Sequence, residues 1–172
     1  MNTRDMLGQH YGLMYRLAAT NLAGISPEQS LAQPSHGGNC ANWILGHMVN
    51  VHNGIMQLLG EKPVWESEQL ARAGFEPITG PANAIDWNTL RDRFLESRER
   101  CLGAIASISD KSLAEPVPHP FGGTCAREEL LSLLALHQNY HVGQLGMSRR
   151  TAGLPGAVKG PGQPQEAGAA KA

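Results

Sequence analysis

Two histidines, His137 and His141, stand four positions apart in REELLSLLALHQNYHVGQLGMSRR, residues 127–150 of this 172-residue chain. On an α-helix, positions i and i+4 lie one turn above each other on a single face. Two imidazoles so placed can address one metal ion from one rigid element. Leu130, Leu133, Leu134 and Tyr140 fall on the same side as His137, so the pair is expected to look toward a core. Two imidazoles hold a metal weakly, and the candidate for a third ligand is His47, in NWILGHMVNVHNGIMQLLG. Three neutral imidazoles suit Zn²⁺, with Ni²⁺ or another first-row divalent ion equally compatible in ligand type. Three protein ligands leave a coordination position open, as catalytic sites do. An open position can lower the pKa of water or hold a thiol as thiolate.

Neighbouring residues narrow the chemistry. A zincin protease needs Glu directly after the first histidine as general base, and this chain has Gln138 there. The Glu-x-x-His motif of di-iron bundles occurs nowhere in the chain. Three readings stay open: a metal-dependent transferase or hydrolase, a non-catalytic metal-binding or ligand-sensing protein, and a metal-free bundle whose histidines only hydrogen-bond. Gln144, seven residues after His137, lies on its face and could orient a ligand or fasten two helices, with packing slightly favoured. His10 and Tyr11 could reach the pocket as a donor to a ligand or as a general acid, although satisfied core residues are commoner. His52 lies about 140° around its helix from His47 and is expected at the surface or edge. Trp43, Trp65 and Trp87 read as core or pocket wall.

Four long helices must position these groups. The first is predicted over residues 3–24, capped by Thr3, with Met6, Leu7, His10, Met14, Leu17 and Ala18 on its buried stripe. The second runs over about 39–59, with Ile44, Met48, Val51, Ile55 and Leu58 as core and His47 at the edge of that face. Residues 60–85 form a long, proline-rich connection with room for a short helix near 67–73. Such length inside a compact domain is uncommon. Asp86 caps the third helix, which reaches about Ile108, and the following loop has room for an extended pair of segments. Thr124 then caps the fourth helix. His47 lies eight residues inside its helix and His141 nine from the end of its own. At about 1.5 Å per residue, antiparallel second and fourth helices bring them level. The predicted architecture is an all-α four-helix bundle, up-down-down-up, with a long crossover between the second and third helices. Residues 1–152 make the bundle, and the Gly- and Pro-rich residues 153–172 are expected to form a flexible tail.

Composition excludes several classes. Fourteen basic residues against 15 acidic ones give no electrostatic footprint for nucleic acid or a membrane surface. No apolar run approaches the roughly 20 residues of a membrane span, and the N-terminal residues lack a signal-peptide layout. A cytoplasmic location is expected. Cys40, Cys101 and Cys125 form no CxxC pair, which argues against a disulfide framework or a thiolate zinc site.

Two segments, Asn42 to Gly60 with its W-x-L-G-H and His137 to Arg150 with its H-x-x-x-H-x-G-Q-L, resemble the DinB/YfiT-like superfamily of DNA-damage-inducible DinB proteins and their relatives. The resemblance covers nearly the whole chain, including ISPEQSLAQP and the long crossover. It implies a four-helix bundle, a homodimer, and one divalent metal ion per chain, Zn or Ni foremost, on His47, His137 and His141. It also implies a small-molecule substrate, with bacillithiol, mycothiol or glutathione as thiol partners in some members. Val142 departs from the pattern, since many relatives carry an arginine after the last ligand. Any anion-holding role of that arginine does not carry over.

Overall fold

A computed structural model describes residues 2–72 and 76–158. Its long helices are α1 (Thr3–Leu22), α2 (Ala41–Leu58), α4 (Trp87–Ser107) and α6 (Arg127–Thr151). The short helices α3 (Glu68–Arg72) and α5 (Asp110–Leu113) lie between them, with a hairpin of β1 (Pro116–Pro118) and β2 (Thr124–Ala126) before α6. The hairpin realises the expected extended pair, and it displaces Thr124 from the cap position. The α6 start is satisfied instead by Glu129, whose carboxylate accepts from the Ala126 amide. At the first helix the cap is Asn2 rather than Thr3, in a reciprocal box with Asp5. Asp86 caps α4 as predicted, accepting from the Thr89 amide at 2.8 Å. Positive φ at Gly24 (74°) and Gly60 (78°) turns the chain just past α1 and α2, a conformation that glycine adopts without a Cβ clash.

Cross-helix hydrogen bonds establish the directions. Tyr11 donates to the Leu131 carbonyl and Asn21 to that of Val142, both at 2.9 Å, so α1 and α6 run parallel. Trp87 donates to the Ile25 carbonyl at 2.8 Å and Arg4 to that of Ile108 at 3.4 Å, so α1 and α4 are antiparallel. Arg127 reaches the Leu58 carbonyl at one end of α2, while Ser148 donates to that of Asn39 at the other. Helices α2 and α6 therefore oppose each other, and the order is up-down-down-up.

Because α2 and α4 run parallel, the connection between them must travel back along α2, about 27 Å at 1.5 Å per residue. A long loop against a bundle needs partners for its backbone polar groups, and α2 supplies them. Asn53 donates to the Trp65 carbonyl and accepts from the Val64 amide, both at 2.8 Å. Trp43 donates to the Glu76 carbonyl at 2.9 Å. The buried Asn42 donates to the Ile85 carbonyl and accepts from its amide, at 2.8 and 3.0 Å. Beyond α6, Arg149 donates to the Pro155 carbonyl and Leu154 packs against the core; the expected tail from 159 on lies outside the described residues.

His52, expected at the edge, is fully buried. Helix α2 is covered by α4, α6 and the crossover, so its buried face is wider than the stripe predicted for it, and His52 falls near the middle. Its Nε2 lies 2.6 Å from the Tyr15 hydroxyl, which lies 2.7 Å from Ser97 Oγ, and Ser97 donates to the Phe94 carbonyl. A carbonyl only accepts, so the chain of donors must run from His52 Nε2–H to Tyr15, to Ser97, to Phe94. Nδ1 is then a bare acceptor, and it is buried without a partner. Burial lowers the His52 pKa to about 3.

An unfolded histidine takes its proton near pH 6.5, as folded His52 cannot until about pH 3. Between these values the unfolded state binds more protons, so stability is intact above pH 6.5 and falls as the pH drops. In denaturant titrations from pH 6 to 4, His52→Phe should flatten the loss of stability by about 1.4 kcal/mol per pH unit. An unchanged slope would contradict the assignment.

Candidate metal centre

His47 comes from α2, and His137 and His141 from successive turns of α6. Their Nε2 atoms are 3.4 Å apart for His47 and His137, and 3.2 Å for His137 and His141. The three residues can each offer a ligand nitrogen such that all lie within 4.8 Å of one another. Zn–N bonds of about 2.0–2.1 Å at tetrahedral angles require nitrogens about 3.3–3.4 Å apart. The two spacings that involve His137 therefore match those of a tetrahedral ion, and the third pair lies within 4.8 Å.

The registration that brings them together depends on the residues beside them. Gln138 follows His137, is fully buried, and donates to the carbonyl of Met48, which follows His47, at 2.9 Å. This bond ties α6 to α2 at the level of the histidines. Its sequence signal was present: Leu131, Gln138 and Leu145 recur every seven residues on the buried face, so a polar residue in that series needs a buried partner.

Protonation is also arranged. Gln144 Oε1 lies 2.7 Å from His141 Nδ1, while Gln144 Nε2 donates to the Tyr140 hydroxyl at 3.0 Å. The amide oxygen can only accept, so His141 carries its proton on Nδ1 and presents a bare Nε2 lone pair. Gln144 thus orients a histidine, where packing had been favoured. His137 Nδ1 is buried and unpartnered. Burial, reinforced by the two neighbouring histidines, lowers the His47 pKa to about 4. Burial likewise lowers those of His137 and His141, against a raising contribution from Gln144 on His141. All three are neutral at pH 7, as ligands must be.

Two aromatic side chains flank the trio. The Trp43 ring stacks on His47 at 5.3 Å and 10°, while its indole N–H holds the crossover at Glu76. Tyr140 meets His141 edge-on at 5.1 Å and 74°. Tyr140 and Leu133, expected to face inward, are exposed, because the buried sector of α6 is centred toward Gln138 and Leu145 and places His137 at its margin. His10, expected on or beside the α1 stripe, is exposed. Tyr11 is fully buried with its hydroxyl committed to Leu131. Of the secondary candidates His10, Tyr11 and Gln144, only Gln144 touches one of the three histidines through a hydrogen bond.

A family model described as the DinB superfamily matches residues 11–145. No curated protein matches the sequence. Among solved structures, a conserved protein from Enterococcus faecalis shares 15% identity at a TM-score of 0.66, covering 88% of this chain and 98% of its own. YfiT from Bacillus subtilis, described as a probable metal-dependent hydrolase with an unusual four-helix bundle topology, also shares 15% identity. Its TM-score is 0.64, with 88% of this chain and 89% of its own covered. The match over residues 11–145 and the shared bundle settle the relationship: the chain is a member of the DinB superfamily.

Proposed function

We propose that this protein is a metal-dependent enzyme in which His47, His137 and His141 hold one divalent ion, zinc or nickel foremost, for attack by a thiol or water on a small electrophilic substrate. The observation that carries this reading is the convergence of three neutral imidazoles, with Nε2 of His137 3.4 Å from that of His47 and 3.2 Å from that of His141 and ligand nitrogens of all three within 4.8 Å of one another. When bound, such an ion supplies a Lewis acid that lowers the pKa of water or a thiol toward neutrality. Gln144 keeps the His141 lone pair aimed at the common centre, and Tyr140 holds Gln144 in place. Trp43 and Tyr140 offer aromatic walls to an apolar substrate. Gln138, turned inward to Met48, supplies no general base at the position where a zincin carries Glu. The reaction is therefore of the S-transferase or simple hydrolase kind, and the description of YfiT as a probable metal-dependent hydrolase is consistent with water as one nucleophile. Among the described residues no helix is long and apolar enough to cross a membrane; the expected setting is the cytoplasm.

Elemental analysis of protein purified without chelators should find about one divalent ion per chain, lost in His47→Ala and in His141→Ala. Metal-free wild-type protein after loading attempts would overturn the reading. Gln144→Leu should keep the fold but weaken metal affinity by roughly 10–100-fold in competition with a chromogenic chelator. Unaltered affinity would reduce Gln144 to a packing residue. The metal-loaded protein, offered a chlorinated aromatic or a maleimide with each of several low-molecular-weight thiols, and separately a panel of esters, should accelerate one pairing above the His47→Ala background. A flat result across the panel, with metal retained, would leave a metal-binding protein without turnover.

A further inference from the structure

The histidine trio lies where α2 meets α6, with His47 and His137 only half-buried, yet neither helix brings a formal charge to the opening. From Ala41 to Gly60 and from Leu130 to Ser148 the chain contains no Asp, Glu, Lys or Arg. A helix face turned to solvent usually carries charge. Here the accessible positions beside the histidines are apolar or aromatic: Leu133 is 36% exposed and Tyr140 62%, while Val51 and Trp43 are half-buried. Val51 stands one turn after His47 and Leu133 one turn before His137. Because the two helices are antiparallel, both residues lie at the same end of the trio. Trp43, stacked on His47, and Tyr140, edge-on to His141, lie toward the other end. One helical turn reaches about 6 Å along the axis, the space of a single ring on either side of the histidines. Glu76, whose carbonyl Trp43 holds, is exposed; solvent screens its charge, whose sign repels anions.

We propose that the site selects a substrate with an uncharged aryl body and turns away one that carries a second charge, with Leu133, Val51, Trp43 and Tyr140 setting that preference. The inference rests on the metal reading above. The charge of a bound divalent ion is met by the one sulfur or oxygen atom it receives. A further carboxylate or ammonium on the substrate would lie against these four side chains with no counter-charge on either helix, and losing part of its hydration there disfavours it. An aryl ring in the same place removes apolar area from water and finds aromatic partners in Trp43 and Tyr140. Recognition is then by polarity and shape along the walls, with a single polar anchor at the histidines, the pattern of small-molecule sites lined by apolar groups.

Calorimetric titration of the zinc-loaded full-length protein with four thiols reads the preference without any need for turnover. Benzyl mercaptan should bind most tightly. Its 4-carboxylate and its 4-aminomethyl analogue should each bind roughly tenfold more weakly, and ethanethiol, which lacks the ring, weaker by a similar factor. Leu133→Arg, a change at a partly exposed position checked by circular dichroism, should raise affinity for the 4-carboxylate to that of benzyl mercaptan or above, by supplying the missing counter-charge. Leu133→Gln should leave the wild-type order of the four thiols intact. Protein that takes up no zinc would overturn the metal reading and this inference with it. Zinc uptake with no thiol bound, with equal affinities for the four thiols, or with an order that Leu133→Arg does not change would overturn the substrate preference alone and leave the metal reading standing.

Discussion

Everything at the centre rests on the antiparallel registration of α2 and α6. His47 can meet His137 and His141 only if the two helices are locked at one level, since a slip of a single turn moves a side chain by about 5.4 Å. The bond from Gln138 to the Met48 carbonyl provides that lock from inside the bundle. The contacts of Arg127 and Ser148 with the two ends of α2 provide it from outside. Gln138 Oε1 is already buried without a partner, so breaking the bond from Nε2 would strand the rest of the amide and the Met48 carbonyl in the core as well, and the register resists sliding. Imidazole nitrogens held 3.2 and 3.4 Å apart repel one another unless a proton or a cation lies between them. That arrangement persists because the helices, not the histidines, determine the spacing.

The up-down-down-up order has a physical consequence for the site. Parallel α2 and α4 need a long return segment, and that segment is fastened along α2 by Asn53, Trp43 and Asn42. Trp43 serves both purposes, stacking on His47 and anchoring the crossover at Glu76. The loop demanded by topology therefore also walls the site. On the opposite flank, Tyr140 links the histidines to the exposed face of α6 through Gln144.

Away from that centre, the polar chain of His52, Tyr15 and Ser97 lies wholly among apolar residues. Desolvation holds His52 neutral and raises the Tyr15 and Cys101 pKa values, the last to about 12. These groups are chemically quiet at neutral pH and join α1, α2 and α4 by directional bonds rather than by packing alone.

Much was written in local patterns. Helical spacing, the Asp86 cap and proline-rich breaks delimited the long helices, because capping and turn chemistry act within a few residues. The i, i+4 pair His137 and His141 followed from helix geometry, and counting residues from helix ends placed His47 level with them. Which sector of each helix is buried was not local: it depends on how many neighbours cover the helix. His52 moved from the expected edge to the interior because α2 has three neighbours, and Tyr140 and Leu133 moved outward because the core lies on the Gln138 side of α6. The choice between the two roles open to Gln144, and the clamp made by Gln138, required the positions of hydrogen-bonding atoms that only the folded chain brings within 3 Å. Residue type and spacing thus determined what the site could contain, while the packing of one helix against another decided which residues face it.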